Sequence, residues 1–499
     1  MKILSRMQFL LLALLLLIAS PAFAETLNLK LETEDSDLNL GVFANVNMFP
    51  MSVSNLDFNS GDTGYDWMLE EGGVVDNDAV TIRNQLNLGL TSSGKNWSFS
   101  TMFRGDFMLT QQNVDRGKRV PDNLEHLTGF EGEDFGIERL KIAYDFTSHG
   151  LPATFMAGWN LTGLDLETGG ILFGDDHPYM KLKGKYKNIG WETAALFIND
   201  WPGSEGLKEE YQDMNAADGS AGDWRAYTAK LSLPVQDLNI APMYAFSNNQ
   251  VRNAAVHYMG VQAFGQVGIL NPKAEFVYAL GEKENFTDSG KDADISAYGG
   301  FASVKAKLSD MLNPYLGGYM FSGDDDANDD EIEAYNPITN LSRFSGPFGM
   351  QNAMIYRLVP VLGSPIHGNN PSRLGGANSG YGGVVNDSSA YAPGMYSLGI
   401  GTDGSRANWS YQAQVQYFWF AETGALEDLA SGKKTIASEN IDSAIGYEAD
   451  LQLSYNFSDN FSLGNVISVF DPGDGIQDLR GNGFDDTAVV NTVEIKWNL

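Results

Sequence analysis

The chain has 499 residues, with 32 basic and 64 acidic side chains, a formal net charge of −32 and no cysteine. Such acidity argues against nucleic acid and anionic lipid as partners, and the missing cysteines exclude disulfide-stapled modules and thiolate metal sites. With 43% hydrophobic and 12% aromatic residues it is too apolar for simple disorder, and 55 glycines against 17 prolines suit many strands joined by turns.

Lys2 and Arg6 form a basic n-region, Phe9 to Ala19 is an unbroken apolar run, and Pro21 to Ala24 supplies an A-x-A cleavage site. This pattern predicts a signal peptide over 1–24 and a mature chain over 25–499. The apolar run is too short for a membrane-spanning helix, which needs about 20 residues.

Period two then repeats to the end of the chain. Val80, Ile82, Leu86, Leu88 and Leu90 alternate with Thr81, Arg83, Gln85, Asn87 and Gly89. After Ser92–Lys95, alternation resumes with Trp97, Phe99, Phe103 and Phe107 against Ser98, Ser100, Arg104 and Asp106. Two such runs around a glycine-containing turn predict a β-hairpin. Similar segments are predicted near 38–47, 79–91, 96–110, 135–147, 152–160, 179–188, 189–199, 223–233, 237–247, 254–265, 269–281, 293–307, 312–322, 395–403, 407–420, 443–456, 460–470 and 487–499. That is about eighteen strands, with sixteen as the alternative. Most exceed the globular norm of about 5–6 residues and match the roughly 9–11 of a tilted membrane strand.

The connections alternate too. Ser92–Lys95, Thr147–Leu151, Pro234–Asp237, Thr402–Arg406 and Phe457–Asn460 are short, whereas 48–78, 111–134, 200–222, 323–394, 421–442 and 471–486 are long, glycine-rich and acidic. The expectation is an all-β, transmembrane antiparallel β-barrel with short periplasmic turns and long extracellular loops. Strand 407–420 places Trp409, Tyr411, Ala413, Val415, Tyr417 and Trp419 on one face, an aromatic-girdle pattern. The chain closes inside an alternating strand containing Val489, Val493, Ile495 and Trp497, and its last residue is Leu499 rather than an aromatic.

Gly446–Leu451, Ser454–Asn460 and Phe470–Asp474 resemble the last hairpin of alginate-export-type outer-membrane channels, and Ser322–Asp326 with Asn328–Asp330 resembles their acidic loop. Ile137–Leu140, Gly158–Asn160 and Leu172–Asp176 are similar both to those channels and to porins of sulfate- and metal-reducing bacteria. The resemblance implies a porin-like barrel that conducts small hydrophilic solutes or ions passively. It also implies a loop folded inward near the fifth and sixth predicted strands, and assembly as either a homotrimer or a monomer.

Alternation sends the polar parity of each strand into the lumen. The expected basic pore lining is Arg83, Arg104, Arg139, Lys141, Lys181, Lys183 and Lys185; the expected acidic lining is Glu448, Asp450 and Glu494, with Lys496 on the same face. Rings or arcs of charge set ion preference in pores. Loop 161–178 mixes Leu164, Leu166, Ile171, Leu172 and Phe173 with Asp165, Glu167, Asp175 and Asp176, and is expected to fold inward as a constriction. The run Asp324, Asp325, Asp326, Asp329, Asp330 and Glu331 is read as a solvated loop tip; a loop-bound Ca²⁺ is the weaker alternative, because EF-hand spacing is absent. No cofactor is otherwise expected, and no enzyme: His126, His149, His177, His257 and His367 form no triad or metal spacing.

The expected location is the cell outer membrane. Expected partners are outer-membrane lipid and lipopolysaccharide, small hydrophilic solutes and the barrel-assembly machinery. The alternatives are a polysaccharide or sugar-acid export channel, and a non-conducting scaffold for a surface or electron-transfer partner.

Overall fold

The computed structural model describes residues 27–33, 36–55, 79–108, 135–200, 223–250, 253–284, 292–326, 329–338, 348–350, 393–427, 438, 440–480, 483 and 485–498. Its strands are β1 (Leu27–Thr33), β2 (Ser36–Ser54), β3 (Ala79–Ser93), β4 (Trp97–Met108), β5 (Phe135–Asp145), β6 (Ala153–Gly163), β7 (Gly174–Tyr186), β8 (Ile189–Asp200), β9 (Asp223–Val235) and β10 (Leu238–Asn249). They continue as β11 (Ala254–Gly265), β12 (Leu270–Lys283), β13 (Ala293–Ala306), β14 (Asn313–Phe321), β15 (Glu331–Ile332), β16 (Met395–Arg406), β17 (Trp409–Trp419), β18 (Ala444–Asn456), β19 (Phe461–Pro472) and β20 (Ala488–Asn498).

Among the described residues, every strand but β1 and β15 pairs antiparallel with both neighbours, and β2 closes on β20 through Asn45↔Asn498 to Ser54↔Val489. Eighteen strands thus form a closed antiparallel ring with no free edge. The short β15 pairs parallel with Asp294 and Ile295 of β13, beyond the point where the β13–β14 pairing ends at Gly299. The sequence reading missed β1, which pairs only with the first residues of β2, beyond the end of β20.

Alternation is what makes these residues strands, and exposure shows which face is which. Leu398 (59%), Ile400 (65%) and Val415 (47%) point outward, while Ser397, Gln414 and Gln416 on the same strands are buried. A water-soluble protein would hide such an apolar band; here it is the lipid-facing surface of a transmembrane barrel. Three hairpins turn on two residues whose first member has positive φ: Lys187, Gln236 and Ala407. The last of these moves a predicted turn. Residues 402–406 belong to β16, and the chain reverses at Ala407–Asn408 instead.

Gly158 on β6 has φ +145°, and a Cβ there would lie 1.9 Å from the Leu140 carbonyl oxygen on β5. Only glycine lets the two strands meet at that point. The predicted signal peptide, residues 1–24, lies outside the described residues.

Candidate pore and constriction

Pairing of β6 with β7 continues through Leu161↔Asp176, Thr162↔Asp175 and Gly163↔Gly174, so the connecting loop is 164–173. It is shorter than the expected 161–178. Asp175 and Asp176 are strand residues rather than loop residues, and their side chains lie outside what is described.

The loop does fold inward. Leu164, Ile171, Leu172 and Phe173 are at most 2% exposed although they lie between two membrane strands. Apolar side chains in an outward loop would face water; inside the barrel they pack against Tyr258, Phe301 and Tyr335 from the far wall and a second inward segment. The loop braces itself first. Leu164 N–H donates to the Phe173 carbonyl at 3.0 Å, closing the neck. The Asp165 carboxylate oxygens accept Leu172 N–H at 2.6 Å and Phe173 N–H at 3.1 Å. Asp165 is therefore fully buried rather than presented to solute, and burial pushes its carboxyl up.

The wall then holds the loop. Lys230 on β9 donates to the Leu164 carbonyl at 2.6 Å and pairs with Glu167 at 3.2 Å and Glu192 of β8 at 3.6 Å. Glu275 on β12 accepts the Thr168 hydroxyl at 2.6 Å and Gly169 N–H at 3.0 Å through one oxygen. Neither Lys230 nor Glu275 was singled out in the sequence. Strand parity carries the signal for their inward direction, but nothing in β9 or β12 announces the loop they meet.

The second inward segment follows β14. Ile332, Ala334, Tyr335, Asn336, Ile338, Phe348 and Met350 are buried, and Tyr335 donates to the Ile171 carbonyl at 3.1 Å. Ile338 N–H donates to the Leu172 carbonyl at 3.1 Å, and Tyr258 on β11 donates to the Asn336 carbonyl at 3.0 Å. The expected solvated tip is thus partly overturned. Asp324 is 2% exposed and accepts N–H groups from Asp326 at 3.3 Å and Glu333 at 3.2 Å. Burial, with Asp329 and Glu333 nearby, pushes its carboxyl up to about 7. Asp325, Asp326, Asp330 and Glu331 remain exposed, and Asp329 is half-buried. Among the described residues no three acidic or histidine side chains gather closely enough to hold a metal ion.

The expected basic residues fall on inward parity where their side chains are described. Lys185, Lys183 and Lys181 climb β7 from the turn toward the loop; Lys181 lies 3.7 Å from Glu192, and Lys183 and Lys185 are exposed. Successive members of such a row stand about 7 Å apart. Arg104 pairs with Glu138, which occupies an irregularity in β5, and Arg139 and Lys141 are half-buried. The side chain of Arg83 lies outside what is described.

The expected acidic lining is corrected. Glu448 (0%), Asp450 (4%) and Glu494 (4%) face inward but do not reach lumen water. Asp450 accepts from Gln414 Nε2 at 2.8 Å and from Ser468 Oγ at 2.5 Å, and Glu494 accepts from Lys496 Nζ at 3.0 Å. Residues 348–350 lie over this wall, with Gln414 Nε2 donating to the Phe348 carbonyl at 3.4 Å. Alternation gives direction only, so it does not distinguish an open lumen from one filled by a folded-in segment. At the turn end, Lys273, Lys305 and Lys307 join Gln266, Asn271, Ser303 and Asn313 around a polar recess of about 400 Å³. Lys305 pairs there with Asp403.

Neither a protein-family model nor a curated protein sequence matches the chain. Solved structures do. Acinetobacter baumannii OccAB2 is 10% identical with a TM-score of 0.50, covering 92% of this chain and 98% of its own. Pseudomonas aeruginosa OccK11 (OpdR) is 11% identical with a TM-score of 0.49, covering 94% and 99%. A BenF-like porin from Pseudomonas fluorescens Pf-5 is 10% identical with a TM-score of 0.47, covering 93% and 99%. The likeness to OccAB2 places this closed eighteen-strand antiparallel barrel in a known fold.

Proposed function

We propose that the chain is a passive channel of the Gram-negative outer membrane for small hydrophilic solutes or ions, exported behind the 1–24 signal peptide. One observation carries the reading. The loop 164–173 crosses the barrel and narrows it, while Lys183, Lys185 and Glu167 stay exposed beside it. A barrel that served only as a scaffold has no need for a braced constriction flanked by solvated charge.

The lysine row on β7 and the three lysines at the turn end support a preference for anionic solutes. Export of an acidic polysaccharide, as in alginate-export-type channels, is a narrower version supported by the same lysines. Outer-membrane lipid, the assembly machinery and a homotrimer remain proposed partners of this reading. A loop-bound Ca²⁺ is not needed for it.

Planar-bilayer recording of the purified protein tests it. Stepwise conductance is expected, and changing Lys181, Lys183 and Lys185 together to Gln should move the reversal potential toward cations. The shift should shrink in high salt, since screening acts over about 10 Å at 0.1 M. A membrane-inserted protein with no conductance would overturn the channel reading in favour of a scaffold.

A further inference from the structure

Glu275 and Asp165 are an unusual pair to bury. One is on the wall strand β12 and the other in the constriction loop; they are 4% and 0% exposed, and their carboxyls lie within hydrogen-bond reach of each other. Among the described residues, the N–H and O–H groups that bond to the pair occupy three of the four oxygens. Glu275 Oε2 takes Thr168 Oγ1–H and Gly169 N–H, and the Asp165 oxygens take Leu172 N–H and Phe173 N–H. Glu275 Oε1 is buried with no donor among the described residues.

Two buried carboxylates in contact repel strongly, and an orphaned buried acceptor is costly. A single proton on Glu275 Oε1, donated to Asp165, removes both penalties. We infer that Glu275 is the positioning residue of the constriction: with Asp165 it forms a carboxyl–carboxyl clasp that shares one proton and holds loop 164–173 across the lumen. The inference rests on the channel reading only for its consequence on pore width.

The charged group that faces the pair is Lys230 on β9; Glu167 in the loop and Glu192 on β8 face Lys230, and Lys181 on β7 and Lys273 on β12 face Glu167. Lys230 faces Asp165 but is engaged by Leu164, Glu167 and Glu192, so it offsets a second negative charge only in part. Gln262, Tyr258 and Phe301 from β11 and β13 bring no charge. The shared proton is what removes the repulsion between the two buried carboxyls, so the clasp is intact in acid and is lost as pH rises and that proton leaves. The pore should widen, or flicker to wider levels, in alkaline buffer.

The test uses the full chain. Because it contains no cysteine, Leu172→Cys gives a single thiol at a fully buried loop position that reports loop release without needing conductance. All proteins carry Asp324→Asn, so that the carboxyl raised to about 7 in the second inward segment does not add its own pH response. Glu275→Gln keeps an acceptor for Thr168 and Gly169 and places an N–H donor toward Asp165, a clasp that needs no proton. Glu275→Ala removes the anchor.

The expected result is a conductance that rises with pH in the Glu275 protein, stays low and flat in Glu275→Gln, and stays high and flat in Glu275→Ala. At one fixed pH, maleimide labelling of the introduced thiol should be faster in Glu275→Ala on the order of tenfold, and unchanged in Glu275→Gln. Equal labelling rates in Glu275→Ala and the Glu275 protein would overturn the clasp, as would a Glu275→Gln channel that keeps the full pH response. If no variant conducts, the channel reading fails and the labelling rates still decide the clasp. If Glu275→Ala does not fold, the flat or sloping pH profile of Glu275→Gln decides it alone.

Discussion

Single buried carboxyls organise the segments that fold into this lumen. Asp324 sits where the chain leaves β14 and begins its inward course, with both oxygens occupied by N–H groups two and nine residues on. Its carboxyl rises from an ordinary 3.8 to about 7 because burial disfavours the charged form. The sign follows: the neck is favoured while Asp324 is protonated, and that preference is lost as pH climbs from 3.8 to about 7. Glu333 shifts upward as well, from burial and from Asp325, Glu331 and Asp329 around it, which reinforces the direction. Hydrogen exchange of the Glu333 amide should therefore accelerate with pH beyond its chemical rate, by a few kcal/mol of lost protection at most. Asp324→Asn should remove that excess; the same excess in the variant would assign the opening to another group.

At the scale of elements, each strand is a two-faced strip whose register is fixed by hydrophobic patterning. Ile400 on β16 lies opposite Leu316 and Val415, at the middle of the lipid-facing band. Ile400→Arg should destabilise the folded barrel by about 2–4 kcal/mol in urea unfolding from lipid, the penalty of a midplane charge on the lipid face. Gln452→Arg, on the inward parity of β18 in a second polar recess at the turn end that it lines with Asp403 and Gln412, should change stability by less than about 0.5 kcal/mol. A reversed ranking would mean the parity is wrong. The loop 164–173 shows a limit of this element-level logic, since its apolar residues argue for an inward course without saying which wall residues they meet.

At the scale of the molecule, closure of β2 on β20 sets a topology in which every second connection is short. An epitope tag between Ser93 and Gly94 should stay inaccessible to antibody on intact cells, while a tag in 201–222 should be labelled. Surface labelling of the Ser93 site would reverse the orientation of the barrel.

The sequence by itself determined the barrel, because period-two alternation over long strands is a local property that each strand carries alone. The same property determined the inward direction of Lys181, Lys183 and Lys185, and the apolar content of 164–173 argued for its inward fold. Only the tertiary structure decided what the lumen contains. Glu448, Asp450 and Glu494 have the inward parity of pore residues yet are buried; at Asp450 the cause is visible, since Gln414 binds it and also the carbonyl of Phe348, about a hundred positions earlier in the chain. Asp165 reads as a solute-facing charge until Leu172 and Phe173 turn their N–H groups onto it and Glu275, 110 residues away, meets it from across the barrel. Direction is written residue by residue in the alternation, whereas occupancy of the lumen depends on long-range packing between segments that carry no trace of each other in the sequence.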